Sequence, residues 1–225
     1  MIKENKFNES ISKFDLMEKR GSFYKMAIDL LNRNFEMEAY FLILATWNFA
    51  VFRYALKDFD INDFREKIKE LNLYFEKLKI EDFRTINFEK YREDIKKIYD
   101  TISSIEGVKY TGASKIMHLK NRNVFVMWDG YIKGNKPMRY YNKLEIVKNG
   151  DLEVKKYKND AADYIQFLKD MQKTFKYINF RNDKKSFAKA VDEFNYVNIT
   201  LPIQEMEKKE KQEKKNKRNQ VSNGV

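Results

Sequence analysis

Apolar residues recur along this chain at helical intervals, and polar or glycine residues mark where the runs break. From Phe14 to Asn32 the positions Leu16, Met17, Phe23, Met26, Ala27, Leu30 and Leu31 predict helix, with a break near Gly21. Met37 to Leu56 is apolar nearly all round, interrupted by Glu38, Thr46, Asn48 and Arg53, and reads as the central buried helix. Phe64, Ile68, Leu71, Phe75 and Leu78 make Asp63 to Ile80 a one-sided amphipathic helix. Asn87 is placed to cap a helix through Ser104, with Tyr91, Ile95, Ile98 and Ile102 on its inner face. Two further helices are expected, from Asp160 to Thr174 and from Lys184 to Phe194.

Between them the pattern changes twice. Ile105 to Lys115 reads as a helix end, a tight turn at Gly107 and a new short helix from Gly112 to Leu119, and another helix is expected to begin at Asp129. Leu144-Glu145-Ile146-Val147 and Leu152-Glu153-Val154 flank Asn149-Gly150, a strong hairpin signal, so residues 139–158 are expected to form a small β-ribbon. From Glu205 onward Lys, Glu, Gln and Asn dominate without apolar periodicity, which predicts a disordered or frayed tail over 205–225.

Composition agrees with an all-α chain. Seven Gly and two Pro in 225 residues leave little material for turns, and eighteen Phe with fourteen Tyr supply a large core. The expected organisation is one helical domain over 1–204, two-lobed: residues 37–135 with the hairpin 105–115, and residues 1–36 with 158–204. The absence of cysteine excludes disulfides and thiolate chemistry. A single histidine excludes a His-pair metal site and Ser-His-Asp chemistry, and no cofactor or metal is expected. The polar stretch from Met1 to Lys13 carries no secretory leader signal, so a cytoplasmic, nucleoid-associated location is expected, with no membrane or protein partner.

Charge narrows the partner. The chain carries +11, and between Gly107 and Gly150 nine basic residues face only Asp129 and Glu145, a local surplus of +7 around the glycine turn. A field so focused suits a polyanion, although a lysine-rich solvated surface gives the same count. Amides exposed at the start of the helix after the turn can bind a phosphate.

Helix, glycine hairpin, helix, the apolar loop Val124-Phe125-Val126-Met127-Trp128 and then Asp129, eighteen residues after Thr111, resemble the signature of the helix-hairpin-helix DNA glycosylase superfamily. Ala113 stands where the second hairpin helix of that family has Ala. Leu44-Ala45-Thr46-Trp47-Asn48 lies where those enzymes carry a polar residue that fills the gap left by an extruded base. The resemblance covers roughly residues 37–135 and, more loosely, the region to about 198, where Ala162 to Leu168 and Asp192-Glu193-Phe194-Asn195-Tyr196 resemble recurring segments of uncharacterised relatives. It implies duplex DNA as partner and hydrolytic excision of a damaged or modified base.

What it implies for single residues is set against their plainer roles. Gly107, Val108, Lys109, Tyr110, Thr111, Gly112 and Lys115 would form the DNA grip. Asp129 would stabilise the oxocarbenium character of the sugar or activate water, and it would equally serve as a helix cap. Thr111 occupies the place of the Schiff-base lysine of lyase-type members, which implies a monofunctional enzyme; Lys115, one turn further on, is a displaced nucleophile or a phosphate contact. Lys109 replaces the second hairpin glycine. Trp47 and Trp128 either stack on an extruded base or pack in the core. Asn48 faces a cleft or DNA, or bonds buried backbone, and His118 is packed or DNA-facing. The alternatives to an enzyme are a non-catalytic nucleic-acid-binding module and a helical scaffold with an incidental basic surface.

Overall fold

A computed structural model describes residues 2–17 and 21–222. Its described residues are mainly helical and contain no strand. Among them no helix is long and apolar enough to cross a membrane. The expected break near Gly21 falls partly on residues 18–20, outside the described residues; on either side lie α1 (Glu4–Met17) and α2 (Gly21–Asn32).

The centre of the molecule is α8 (Lys109–Lys120), in which every residue from Gly112 to Leu119 is buried. It follows α7 (Arg92–Ser103) across a short turn and packs along it, with α3 (Glu36–Trp47) against its other side. The helix expected to be central and buried is instead two helices. α3 stops at Asn48, whose backbone leaves helical space at φ −122°, and α4 (Phe49–Ala55) runs on with Phe49 and Tyr54 exposed. The inner isoleucines of α7, Ile95, Ile98 and Ile102, are fully buried, each worth about 2 kcal/mol of transfer free energy.

α11 (Ala161–Thr174) and α12 (Phe187–Asn195) lie close to where the apolar periodicity puts them, capped by the side chains of Asp160 and Ser186. The stretch from Asp63 to Ile80 divides at Leu71 into α5 (Ile61–Glu70), capped by Asp60, and α6 (Asn72–Lys77). Asn87 caps a turn, accepting from the amides of Glu89 and Lys90, and α7 begins only at Arg92.

The expected ribbon over 139–158 is absent. Two short helices stand there, α9 (Met138–Tyr141) and α10 (Glu145–Lys148). Asn149 keeps a right-handed φ of −80° and only Gly150 is left-handed, at +69°. That is a helix C-cap, in which the amides of Gly150 and Asp151 return to the carbonyls of Val147 and Ile146. A type I′ hairpin needs positive φ at both positions.

The charged tail is also ordered at its root. A π-helical turn, Tyr196–Thr200, leads from α12 into α13 (Leu201–Ser222). Pro202 has no N–H, and its ring would crowd the carbonyl of Asn198 in a regular helix, which favours the wider turn. Glu207 accepts from Lys136 Nζ at 2.8 Å and Tyr131 Oη at 2.9 Å, while Glu210 accepts from Arg139 at 3.0 Å and Tyr140 Oη at 2.7 Å. Ile203 is fully buried and Met206 packs against the core, but the contacts beyond them are polar and leave no longer apolar stripe for periodicity to reveal.

Candidate active site

The glycine turn is built by left-handed backbone. Gly107 has φ +81°, and a Cβ there would lie 2.6 Å from Cβ of Ala55. Lys109, in place of a second glycine, also takes a left-handed φ of +53°. Such a conformation costs a residue with a Cβ about 1–2 kcal/mol, so the lysine side chain is kept against a local penalty. Its Nζ reaches Glu106 at 2.6 Å. Lys109→Gly is expected to stabilise the protein by up to about 1 kcal/mol in urea unfolding, because glycine takes this φ freely.

Asn48 clamps the turn from below. Its Nδ2 donates to the carbonyls of Gly107 at 3.2 Å and Val108 at 3.0 Å. Gly112 permits that approach: a Cβ there would sit 2.9 Å from Asn48 Nδ2 and 3.0 Å from Leu44. Of the two readings open for Asn48, the buried backbone bond is the one seen, and the same residue still touches the cavity beside it.

That cavity, about 350 Å³, is walled by the α3–α4 junction (Trp47, Asn48, Val51), the first turns of α8 (Thr111, Lys115), the loop carrying Trp128 and Asp129, and Asp192, Tyr196, Thr200 and Gln204 from the C-terminal elements. Asp129 does not start an α-helix. Its Oδ1 accepts from the amides of Tyr131 and Ile132, both at 2.8 Å, and caps a single turn. The turn ends at Gly134, φ +77°, where a Cβ would strike the carbonyl of Lys155. The other oxygen, Oδ2, accepts from the Thr200 hydroxyl at 3.0 Å. Capping and facing the cavity are therefore combined in one carboxylate held at both oxygens.

Lys115 is buried, 7% exposed, and donates to the carbonyl of Trp47 at the cavity wall, so it is no solvated surface lysine. Trp128 packs edge-on against Tyr164 at 4.9 Å and donates from Nε1 to the Tyr110 carbonyl at 3.3 Å. Trp47 stacks on Tyr24 at 5.7 Å. Both indoles thus serve the core and line the cavity together.

His118 does not. It is fully buried, its Nδ1 donates to the Phe125 carbonyl at 2.6 Å, and its Nε2 consequently accepts from Tyr24 Oη at 2.7 Å. Burial pushes its pKa down to about 3, against the opposing carbonyl bond, so it is a neutral packed residue and not DNA-facing.

In the expected DNA grip, Gly107, Val108 and Gly112 are buried, Tyr110 and Thr111 are half-buried, and Lys109 reaches outward. Much of the local +7 is engaged internally: Lys120 pairs with Glu36, Lys136 with Glu207 and Arg139 with Glu210, while Lys115 and Lys133 are buried. Arg122, Lys143 and Lys148 remain exposed, with no ion pair among the described residues.

Four charged residues carry no expected role from the sequence, although Asp192 and Glu193 fall in the segment 192–196 that carries part of the resemblance. Asp192 opens into the cavity and bonds Lys189 at 2.7 Å; Lys189 also lies 3.3 Å from Glu193 and over the rings of Phe14, Tyr24 and Trp47. Burial raises the Asp192 pKa, with Lys189 pulling it down and Asp129 pushing it up. Burial also opposes the charge of Lys189, but Asp192 and Glu193 outweigh it and hold that ammonium above its ordinary range. The signal was present: Lys189, Asp192 and Glu193 stand at helical spacing inside the otherwise apolar run Phe187 to Phe194. Lys133 is fully buried, its Nζ 3.7 Å from the Tyr110 ring centre and without a hydrogen-bond partner among the described residues. Burial pushes its pKa down to about 8, with Asp129 pulling the other way. Comparison with protein-family models, curated proteins and solved structures gives no significant match to this chain.

Proposed function

We propose that this protein is a DNA N-glycosylase-like enzyme that binds duplex DNA through the 105–115 hairpin and excises a damaged or modified base. The observation that carries the reading is Asp129, fixed at both oxygens on the wall of an aromatic-lined cavity that also holds Thr111 of the hairpin helix. A cavity of about 350 Å³ lies at the small end of ligand sites, which run from roughly 300 to 1,000 Å³. It suits one extruded base.

In this reading the duplex yields its base because the glycosidic carbon is inaccessible inside the stack. The base lies among Trp47, Trp128 and Tyr196. Asp129 stands as the preorganised anion for the positive charge that develops on the sugar as the C1′–N bond breaks, and it needs no reorganisation at that moment. Thr111 in the hairpin offers no amine, so water completes the reaction and leaves an intact abasic site. Lys115, turned to the Trp47 carbonyl, contributes positive potential in the wall.

The test is a panel of duplexes carrying different damaged bases, each treated with alkali after incubation. Alkali-dependent cleavage at the lesion, with no nicking before alkali and no borohydride-trapped adduct, is the expected result. Trapping that disappears in Lys115→Gln would make the enzyme a lyase; binding without release across the panel would leave a binding module. Affinity is expected to fall steeply with salt, and Lys109→Gln, which removes one phosphate contact, to lower the slope by about one.

A further inference from the structure

Among the described residues two carboxylates line the cavity, and they differ in the number and kind of their partners. Asp129 takes three donors, two backbone amides and the Thr200 hydroxyl. Asp192 takes one donor, Lys189 Nζ on Oδ2 at 2.7 Å; its Oδ1 makes no hydrogen bond among the described residues, and its side chain is 12% exposed. The charged and titratable groups around it are Lys189 and Glu193 on its own helix, Lys115 from α8, Asp129 from the loop, Tyr24 from α2 and Tyr164 from α11. Burial raises the proton affinity of Asp192 against the pull of Lys189, and a carboxyl that retains its proton in a cavity is placed to donate it there.

We propose that Asp192 is the proton-transfer residue of this cavity. This rests on the glycosylase reading and gives that reaction its second carboxylate. As the C1′–N bond breaks, its electron pair goes to the base nitrogen, which takes the proton of the Asp192 carboxyl. The Asp192 carboxylate left behind then accepts a proton from the water that adds to C1′, and the acid is restored. Base–sugar plus water becomes free base and an abasic sugar hydroxyl, with no other reactant. Lys189 is the positioning residue: lying over the faces of Phe14, Tyr24 and Trp47, it holds Oδ2 and leaves Oδ1 without a hydrogen bond among the described residues.

The experiment follows single-turnover release, from about pH 5 to about pH 9, of whichever panel base the wild type excises fastest. The expected wild-type profile falls on its alkaline side as the Asp192 proton is lost. In Asp192→Asn the rate should drop by about 10²- to 10⁴-fold, a typical contribution of general acid–base catalysis, and the alkaline limb should vanish. Asp192→Glu should recover part of the rate with the limb displaced. A drop in Asp192→Asn that is equal at every pH, with the limb intact, marks a structural role and overturns the proposal, as does a rate within threefold of wild type. Should circular dichroism show Asp192→Asn unfolded, the wild-type and Asp192→Glu profiles decide: no alkaline limb in the first, or the same limb in both, overturns it. If the wild type releases no base from any duplex, the glycosylase reading fails and takes this proposal with it; release with an unaffected profile sinks Asp192 alone.

Discussion

Asp129→Asn is expected to slow base release roughly a thousandfold while the fold and most of the DNA affinity persist. The variant is isosteric. The Asn carbonyl can keep accepting from the amides of Tyr131 and Ile132, and its amide can donate to the Thr200 oxygen, so each bond seen at Asp129 has a counterpart. Only the charge disappears, and that charge acts on the transition state and not on bound DNA. Single-turnover release, fluorescence anisotropy and a thermal melt, run on both proteins, separate the three quantities. A drop in release of less than about tenfold would leave Asp129 as a cap alone.

Acid should weaken the protein through His118 before most carboxylates titrate. Its imidazole has a pKa of about 3 in the folded state, pushed down first by burial, and about 6.5 in the unfolded chain. Between those values the unfolded state binds more protons, so stability rises with pH; its contribution is complete above about pH 6.5 and is lost as pH falls toward 3. Two pH units below the unfolded value amount to about 2–3 kcal/mol. Urea unfolding at about pH 7 and about pH 4.5 should show that loss in the wild type and most of it missing in His118→Gln. An equal loss in both would place the acid sensitivity elsewhere. Lys133 works in the same direction at higher pH: with a folded pKa of about 8 against 10.5, the unfolded chain binds more protons between those values, so stability rises with pH through that interval.

The long amphipathic segments were legible because burial on one side leaves a helical period. Ile95, Ile98 and Ile102 on α7, and the runs behind α11 and α12, identify their helices without help. What failed to read has a common cause: the same residues serve two local structures. Asn149-Gly150 is both hairpin turn and helix cap, and the choice was made by the short helix before it. Asn48 looked like a polar lapse in a buried helix, yet its side chain reaches backbone 59 residues away, a contact no local pattern encodes. Asp129 was legible as a cap and a carboxylate together. Thr200 was not, because a hydroxyl looks solvated until the fold buries it, and Asp192 showed only as a charge within an apolar helical run, with nothing to bring it to Asp129.

The bond from Thr200 to Asp129 spans 71 residues, so the hydroxyl is synthesised well after the carboxylate it fixes. A nascent chain of about 140 residues already carries the hairpin, Asn48 and the Asp129 turn. It still lacks the hydroxyl that fixes the carboxylate and the acid that faces it. Contacts this distant form late, since each must close a long loop before it returns any free energy. On the proposed function, the hairpin is therefore made before the residues that complete the reactive centre, so a chain clipped ahead of residue 192 would keep the proposed DNA grip and lack the means to release a base.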